Sequence, residues 1–141
     1  MKRLLPVLVI SIILLFLIGI ATSCSPHSLY SEKDVIEVTA QELFAAYEKD
    51  GVAADALYKD KLLKVTGVIY DVGTDYIFEA PEVMISGGGE DEARGIDCIF
   101  DTRYESQVAK LERGQTVAVL GICDGYIAIN ALLLHCQPCE E

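Results

Sequence analysis

The hydrophobic period of this chain changes near residue 60, and that change restricts the fold more than any other feature. Before it, Leu43, Phe44 and Tyr47 fall on one side of a 3.6-residue repeat. After it, Leu63, Val65, Gly67 and Ile69 alternate with Lys64, Thr66, Val68 and Tyr70 at a period of two. Helix therefore precedes sheet. Thr39 and Glu42 have capping-box spacing and predict a helix over residues 39–51, with Gly51 ending it in a left-handed conformation. Residues 52–58 read as a second short helical stretch, and 58–61 as a polar turn.

A long first strand is expected at 63–70, a turn at 71–75 and a second strand at 76–85, where Pro81 marks an edge, a bulge or an early break. Residues 86–90 are expected to form a mobile glycine loop. They resemble a phosphate loop only superficially, since the following Lys and helix are missing. Residues 96–100 make a third strand. A helix follows at 104–113, burying Val108 and Leu111 and stopped by Gly114. The fourth strand is 116–123, Asp124-Gly125 is a hairpin turn signal, and 127–134 is the fifth strand. A helix between the third and fourth of five strands is the arrangement of an OB-fold, a small Greek-key barrel. The expected class is thus mainly β with helices: a five-stranded OB-fold barrel preceded by an N-terminal helix. Gly67 and Gly121 fit its sharp strand bends.

Ahead of this lies a different kind of segment. Lys2 and Arg3 precede residues 4–21, which are apolar except for Pro6, Ser11 and Gly19. The run ends in Ala21-Thr22-Ser23-Cys24, which resembles a lipobox, with Ala21 where such signals usually carry Leu. On that reading Cys24 receives a diacylglycerol and becomes the first mature residue. An uncleaved membrane anchor, or a secreted protein cut after Ser23, are the alternatives. All three place residues 24 onward outside the cytoplasm. Residues 1–23 are thus a lipoprotein-type signal peptide or anchor, 24–38 a flexible tether, and 39–141 the folded domain.

Length and charge exclude further classes. A chain of 141 residues holds one domain. It has 11 Lys and Arg against 22 Asp and Glu, for a net charge of −11, and losing Lys2 and Arg3 takes it to −13. That balance argues against a basic nucleic-acid binder, which needs cations to displace counterions from phosphates. Glu90-Asp91-Glu92 reads as a solvated loop, or as a weak Ca²⁺ site without EF-hand spacing.

Several segments together resemble the tRNA_anti-like family of bacterial OB-fold proteins. They are residues 43–48 (LFAAYE), 52–56 (VAADA), Tyr58-Lys59, 63–67 (LKVTG), 96–100 (IDCIF), 110–117 (KLERGQTV), Gly121, Asp124-Gly125 and 130–134 (NALLL) with Cys136. The resemblance covers roughly residues 39–136. It implies an OB-fold, frequent export and, in many members, lipoprotein character. The family's name records a distant likeness to an anticodon-binding domain rather than a tRNA activity.

Five cysteines occur, and setting Cys24 aside for lipid leaves Cys98, Cys123, Cys136 and Cys139, with three possible connectivities. Cys98 and Cys136 coincide with the family pattern, and in an OB barrel the third and fifth strands are neighbours. The resemblance therefore implies a Cys98–Cys136 disulfide, closing a loop of about 38 residues and contributing roughly 3–4 kcal/mol. Cys123 and Cys139 then pair with each other, or Cys123 stays a buried thiol. Cys136-Gln137-Pro138-Cys139 is also a C-x-x-C, open to a redox reading or, with His135, a zinc reading. The last strand offers no helix start to activate a thiol, and a single close-spaced pair is weak evidence for zinc. His135 reads as a satisfied strand histidine, and no catalytic triad, cofactor or metal motif stands out.

The expected function is a non-catalytic OB module of the bacterial cell envelope. It would be held at the membrane by lipid on Cys24 and bind a protein, peptide or glycan through Tyr70, Tyr76, Phe78 and the glycine loop. The alternatives are an envelope thiol–disulfide protein using Cys136 and Cys139, and single-stranded nucleic-acid binding.

Overall fold

The computed structural model describes residues 34–139, so the signal segment, Cys24 and most of the tether lie outside the described residues. The fold is mainly β-sheet with a few helices. In chain order it runs β1 (Ile36–Thr39), α1 (Ala40–Lys49), α2 (Gly51–Tyr58), β2 (Leu62–Asp75), β3 (Ala80–Ser86) and β4 (Gly95–Phe100). A 3₁₀ turn (Thr102–Tyr104) then leads into the single-turn α3 (Glu105–Val108), followed by β5 (Thr116–Ile127) and β6 (Asn130–Pro138).

The capping box at the start of α1 is formed. The Thr39 hydroxyl accepts from the Glu42 N–H at 3.2 Å, and the Glu42 carboxylate accepts from the Thr39 N–H at 3.0 Å. Gly51 does not end this helix. Asp50 does, in extended backbone, and its carboxylate then caps α2 by accepting from the N–H groups of Val52 and Ala53. One short acidic residue thus closes one helix and opens the next. α1 buries Ala40, Leu43, Phe44 and Tyr47 against the sheet.

The described residues form six strands rather than five, in the order β1-β2-β3-β4-β6-β5, and β2 also pairs with β5. The five strands β2 to β6 therefore form a closed ring, with β1 added parallel to β2. β1 was not expected: Ile36, Glu37 and Val38 fall in the stretch read as tether, and pair with Leu63, Lys64 and Val65. β2 is shared between two halves. Residues 62–68 pair with β5 and 69–75 with β3, and the strand bends at a bulge between Ile69 and Asp71. At Gly67 a Cβ would lie 2.5 Å from Ile85 Cγ2 and 2.8 Å from Ala40 Cβ, so only glycine admits the helix and β3 this close.

Four further expectations are corrected. Residues 71–75 continue β2, because Val72 points inward opposite Val83 while Asp71, Gly73 and Asp75 point out. Residues 76–79 form the turn, fixed by the Asp75 carboxylate, which accepts from the Ile77 and Phe78 N–H groups at 2.7 Å. The helix expected over 104–113 is one turn long, and the chain then turns through Gly114 (φ 90°) to enter β5. Asp124-Gly125 is not a hairpin turn but a bulge inside β5, with Gly125 at φ 99°, and the reversal falls at Ala128-Ile129. Pro81 lies within β3 and pairs with Thr74, ahead of the first residue of β3 paired to β4, Glu82. The glycine loop packs on α1, since Gly87 leaves room for the Phe44 ring.

Inside the ring, Leu63, Val65, Ile69, Val83, Ile85, Ile96, Phe100, Val119 and Leu133 form one core with the buried side of α1.

Candidate functional site

The side of the sheet that faces away from this core is uneven in chemistry. Pairing across β2, β3, β4 and β6 sets Asp71, Met84, Asp97 and Leu132 in one outward row. The next row holds Gly73, Glu82 and Ile99, and beyond it Asp75 lies opposite Ala80. Ala80, Ile99 and Leu132 are buried and pack with Leu134 as a second apolar cluster, separate from the main core. Four carboxylates border that cluster.

Among the described residues, no Lys or Arg stands beside them on these strands. β3, β4, β5 and β6 contain neither Lys nor Arg. The single Lys of β2, Lys64, lies on the other half of its strand, 3.3 Å from Glu37. The result shows in proton affinity. Burial pushes the half-buried Glu82 carboxyl up to about 7, and the charges of Asp97, Asp75 and Asp71 push the same way. Asp97 is also raised, by burial first, with Asp75 adding to it and a hydrogen bond from Asn130 opposing it. Asn130 is itself buried, donating to Asp97 at 2.9 Å and accepting from the Gly95 N–H at 2.9 Å. Gly73 has open space where a side chain would stand, which leaves Glu82 accessible from above.

Apolar loops lie at both ends of this face. At the β2–β3 turn, Tyr76 is 91%, Ile77 86% and Phe78 48% exposed. At the β5–β6 reversal, Ile127 and Ile129 are exposed. Tyr76 and Phe78, expected as ligand contacts, therefore sit together at one end of the acidic face. Tyr70 does not join them: six residues of strand separate it from Tyr76, roughly 20 Å. It lines another groove of about 520 Å³ with Thr66, Glu92 and Arg113, where the Arg113 guanidinium lies 4.4 Å from the Tyr70 ring centroid and 3.9 Å from Glu92.

The cysteines divide as follows. Cys98, Cys123 and Cys136 are free, buried thiols, so the Cys98–Cys136 and Cys123–Cys139 bonds expected from the sequence are not formed here. Cys98 and Cys136 nevertheless lie on paired strands and are both buried, Cys98 opposite Leu133 and Cys136 opposite Phe100, with the Cys136 thiol donating to the Leu133 carbonyl at 3.5 Å. Cys123 instead faces the Tyr47 hydroxyl at 3.4 Å. Burial pushes the thiols of Cys123 and Cys136 up, the opposite of what a nucleophile needs. Cys139 ends the described chain with its N–H donating to the Ala118 carbonyl. His135 points out toward Asp101 at 3.3 Å while Cys136 points in, so the two cannot share a zinc ion.

The acidic face was missed in the sequence. Its carboxylates come from three strands, one or two from each. The signal was the alternation of Asp71, Gly73 and Asp75 with Val72, hidden by turn-forming residue types.

A solved structure from Klebsiella pneumoniae subsp. pneumoniae MGH 78578, described as a "putative nucleic acid-binding lipoprotein", shares the fold at a TM-score of 0.59 and 16% identity. The match covers 74% of this chain and 92% of that one. No curated protein matches the chain. The tRNA_anti-like family, whose fold is OB-related, matches over residues 1–137, and with its strand ring and helices in hand the chain belongs to that family.

Proposed function

We propose that this protein is a non-catalytic OB-barrel binding module, anchored outside the cytoplasm by lipid on Cys24, whose ligand is a cationic, partly apolar segment of another protein. OB barrels take ligands on the face of their second and third strands, between the first and last hairpin loops. Here those strands are β3 and β4, and the loops are 76–79 and 128–129. The observation that carries the reading is a face with four carboxylates and no Lys or Arg, bordering an apolar cluster. A Lys or Arg side chain placed over Glu82 and Asp97 relieves their mutual repulsion, while Ile99, Leu132 and the hairpin tip take the apolar part. A nucleic acid brings phosphates to the same carboxylates and gains no counterion release from them. Export is supported by the apolar segment ending at Cys24, and the Klebsiella protein of the same fold is described as a lipoprotein. The buried thiol of Cys136, with its raised proton affinity, speaks against the thiol–disulfide enzyme.

The test is fluorescence anisotropy with full-length protein in detergent micelles. Three labelled probes are compared at low and high salt: a Lys/Leu peptide, a Glu/Leu peptide of equal length, and a single-stranded oligonucleotide. Binding of the Lys/Leu peptide alone, weakened by salt and by Glu82→Lys, is expected. Salt-sensitive binding of the oligonucleotide without the peptide would move the site to the Tyr70–Arg113 groove and overturn the reading.

A further inference from the structure

β2 has a free edge beside the acidic face. β5 pairs with it as far as Val68, and Gln115 and Gly114 then bond through their backbone to Ile69. Beyond the bulge, residues 71–75 pair with β3 on one side and, among the described residues, with no strand on the other. Successive residues of a strand turn their N–H and C=O to opposite edges. Pro81, opposite Thr74, has no N–H to give it, so the bonds to β3 fall on residues 71, 73 and 75. Val72 and Thr74 therefore present N–H and C=O to the open edge, where no turn or loop backbone of the described residues meets them.

Gly73 stands at the middle of this edge, and the fold does not require it. Its φ lies outside the left-handed region, and a Cβ there would meet no atom within 4 Å. A glycine inside a strand weakens it, and one that nothing presses on marks a place where another chain comes close. The neighbouring side chains say which chain. Asp71 and Asp75 point outward on either side of Gly73, and Glu82 lies directly across from it on β3. A second copy fits badly: the register that pairs the most residues is centred on Gly73 and sets Asp71 of one copy against Asp75 of the other. A strand with Lys or Arg at alternate positions fits well. Its cations stand beside Asp71 and Asp75, and the one opposite Gly73 crosses it to Glu82, two strand spacings or about 10 Å away. Its intervening residues fall on the side of Val72, which is half-buried at the margin of the core.

We propose that an extended cationic segment of another protein binds by adding an antiparallel strand to residues 71–75 of β2, with alternate Lys or Arg side chains over Asp71, Glu82 and Asp75 and apolar residues between them. This rests on the peptide reading above and supplies that segment's anchor. Main-chain bonds to Val72 and Thr74 hold the strand, and the carboxylates choose its sequence.

The experiment measures anisotropy with the full-length chain in detergent micelles and a labelled peptide in which Lys and Leu alternate. Two further versions carry backbone N-methyl groups, one on every Leu and the other on every Lys. In an antiparallel strand the Leu N–H groups face Val72 and Thr74, and the Lys N–H groups face away. Methylating the Leu set should weaken binding about tenfold or more, and methylating the Lys set about twofold at most. Gly73→Val should keep or raise the urea midpoint, since the side chain enters open space on a strand, and weaken the unmodified peptide about tenfold by blocking the arm that reaches Glu82. Equal effects of the two methylated sets, a loss confined to the Lys set, or full affinity in folded Gly73→Val overturns the added strand. So does peptide affinity that falls as protein concentration rises, the sign of a second copy on the edge. If the unmodified peptide binds and the methylated sets behave alike, only the strand fails. If it does not bind at all, the peptide reading fails with it.

Discussion

Replacing Glu82 by Gln should make the fold more stable at pH 8 and leave it nearly unchanged at pH 4.5. Burial and the charges of Asp97, Asp75 and Asp71 move this carboxyl from 4.5 to about 7 in the folded protein. Below pH 4.5 it is protonated in both states and has no effect. As the pH rises to 7 the unfolded chain ionises first, so stability falls, and above 7 the whole penalty remains. At 1.36 kcal/mol for each tenfold change in proton affinity the ceiling is about 3.4 kcal/mol. Glu82 is only half-buried, and solvent screening reduces this to about 1–2 kcal/mol. Glutamine has nearly the same shape and carries no charge, so the gain should appear as a urea midpoint about 1 M higher at pH 8. The quantity to read is the difference between wild type and Glu82→Gln at pH 8 minus that at pH 4.5, which cancels other titrations. Equal effects at both pH values, or a less stable variant at pH 8, would mean that the carboxylate has a cation partner in the fold. The same variant should bind the Lys/Leu peptide more weakly, so stability and binding move in opposite directions. That opposition is common at sites built to receive a partner.

Thr39→Ala removes the hydroxyl that accepts from the Glu42 N–H, leaves the residue-39 N–H on the Glu42 carboxylate, and should cost about 1 kcal/mol in urea denaturation. Gly67→Ala forces a methyl against Ile85 and Ala40 and should lower stability by about 1–3 kcal/mol, with loss of near-ultraviolet dichroism if the helix shifts. Replacing Tyr76 and Phe78 together by Ala should leave the melting curve within about 0.5 kcal/mol of wild type, because both are exposed, yet weaken peptide binding at least several-fold.

The parts of this molecule that read clearly from the sequence are those whose causes are local. The capping box needs only Thr39 and Glu42, and the stripe of Leu43, Phe44 and Tyr47 needs only a helical period. β4 is a short apolar run bounded by Gly95, and it lies where alternation predicts. Two of the misreadings turn on partners distant in sequence. Residues 71–75 have the composition of a turn, yet β3 draws them into a strand because Val72 has a place opposite Val83. Asp124-Gly125 has the composition of a hairpin, yet β6 continues to pair on both sides of it and makes it a bulge. Tyr76 and Phe78 were legible as candidate ligand contacts, although they were assigned to a strand and lie exposed in the β2–β3 turn. The carboxylate set was not, because Asp71 and Asp97 become neighbours only once β3 lies between them.

The split pairing of β2 also dictates when the fold can exist. Its first half waits for β5, and β4 waits for β6, the last strand to be made. A chain emerging from the ribosome therefore holds two open strand edges until residue 138 is free. Such order favours slow folding. It also makes the final nine-residue strand, rather than the buried centre, the element whose loss would strand the whole protein as an aggregation-prone half-sheet.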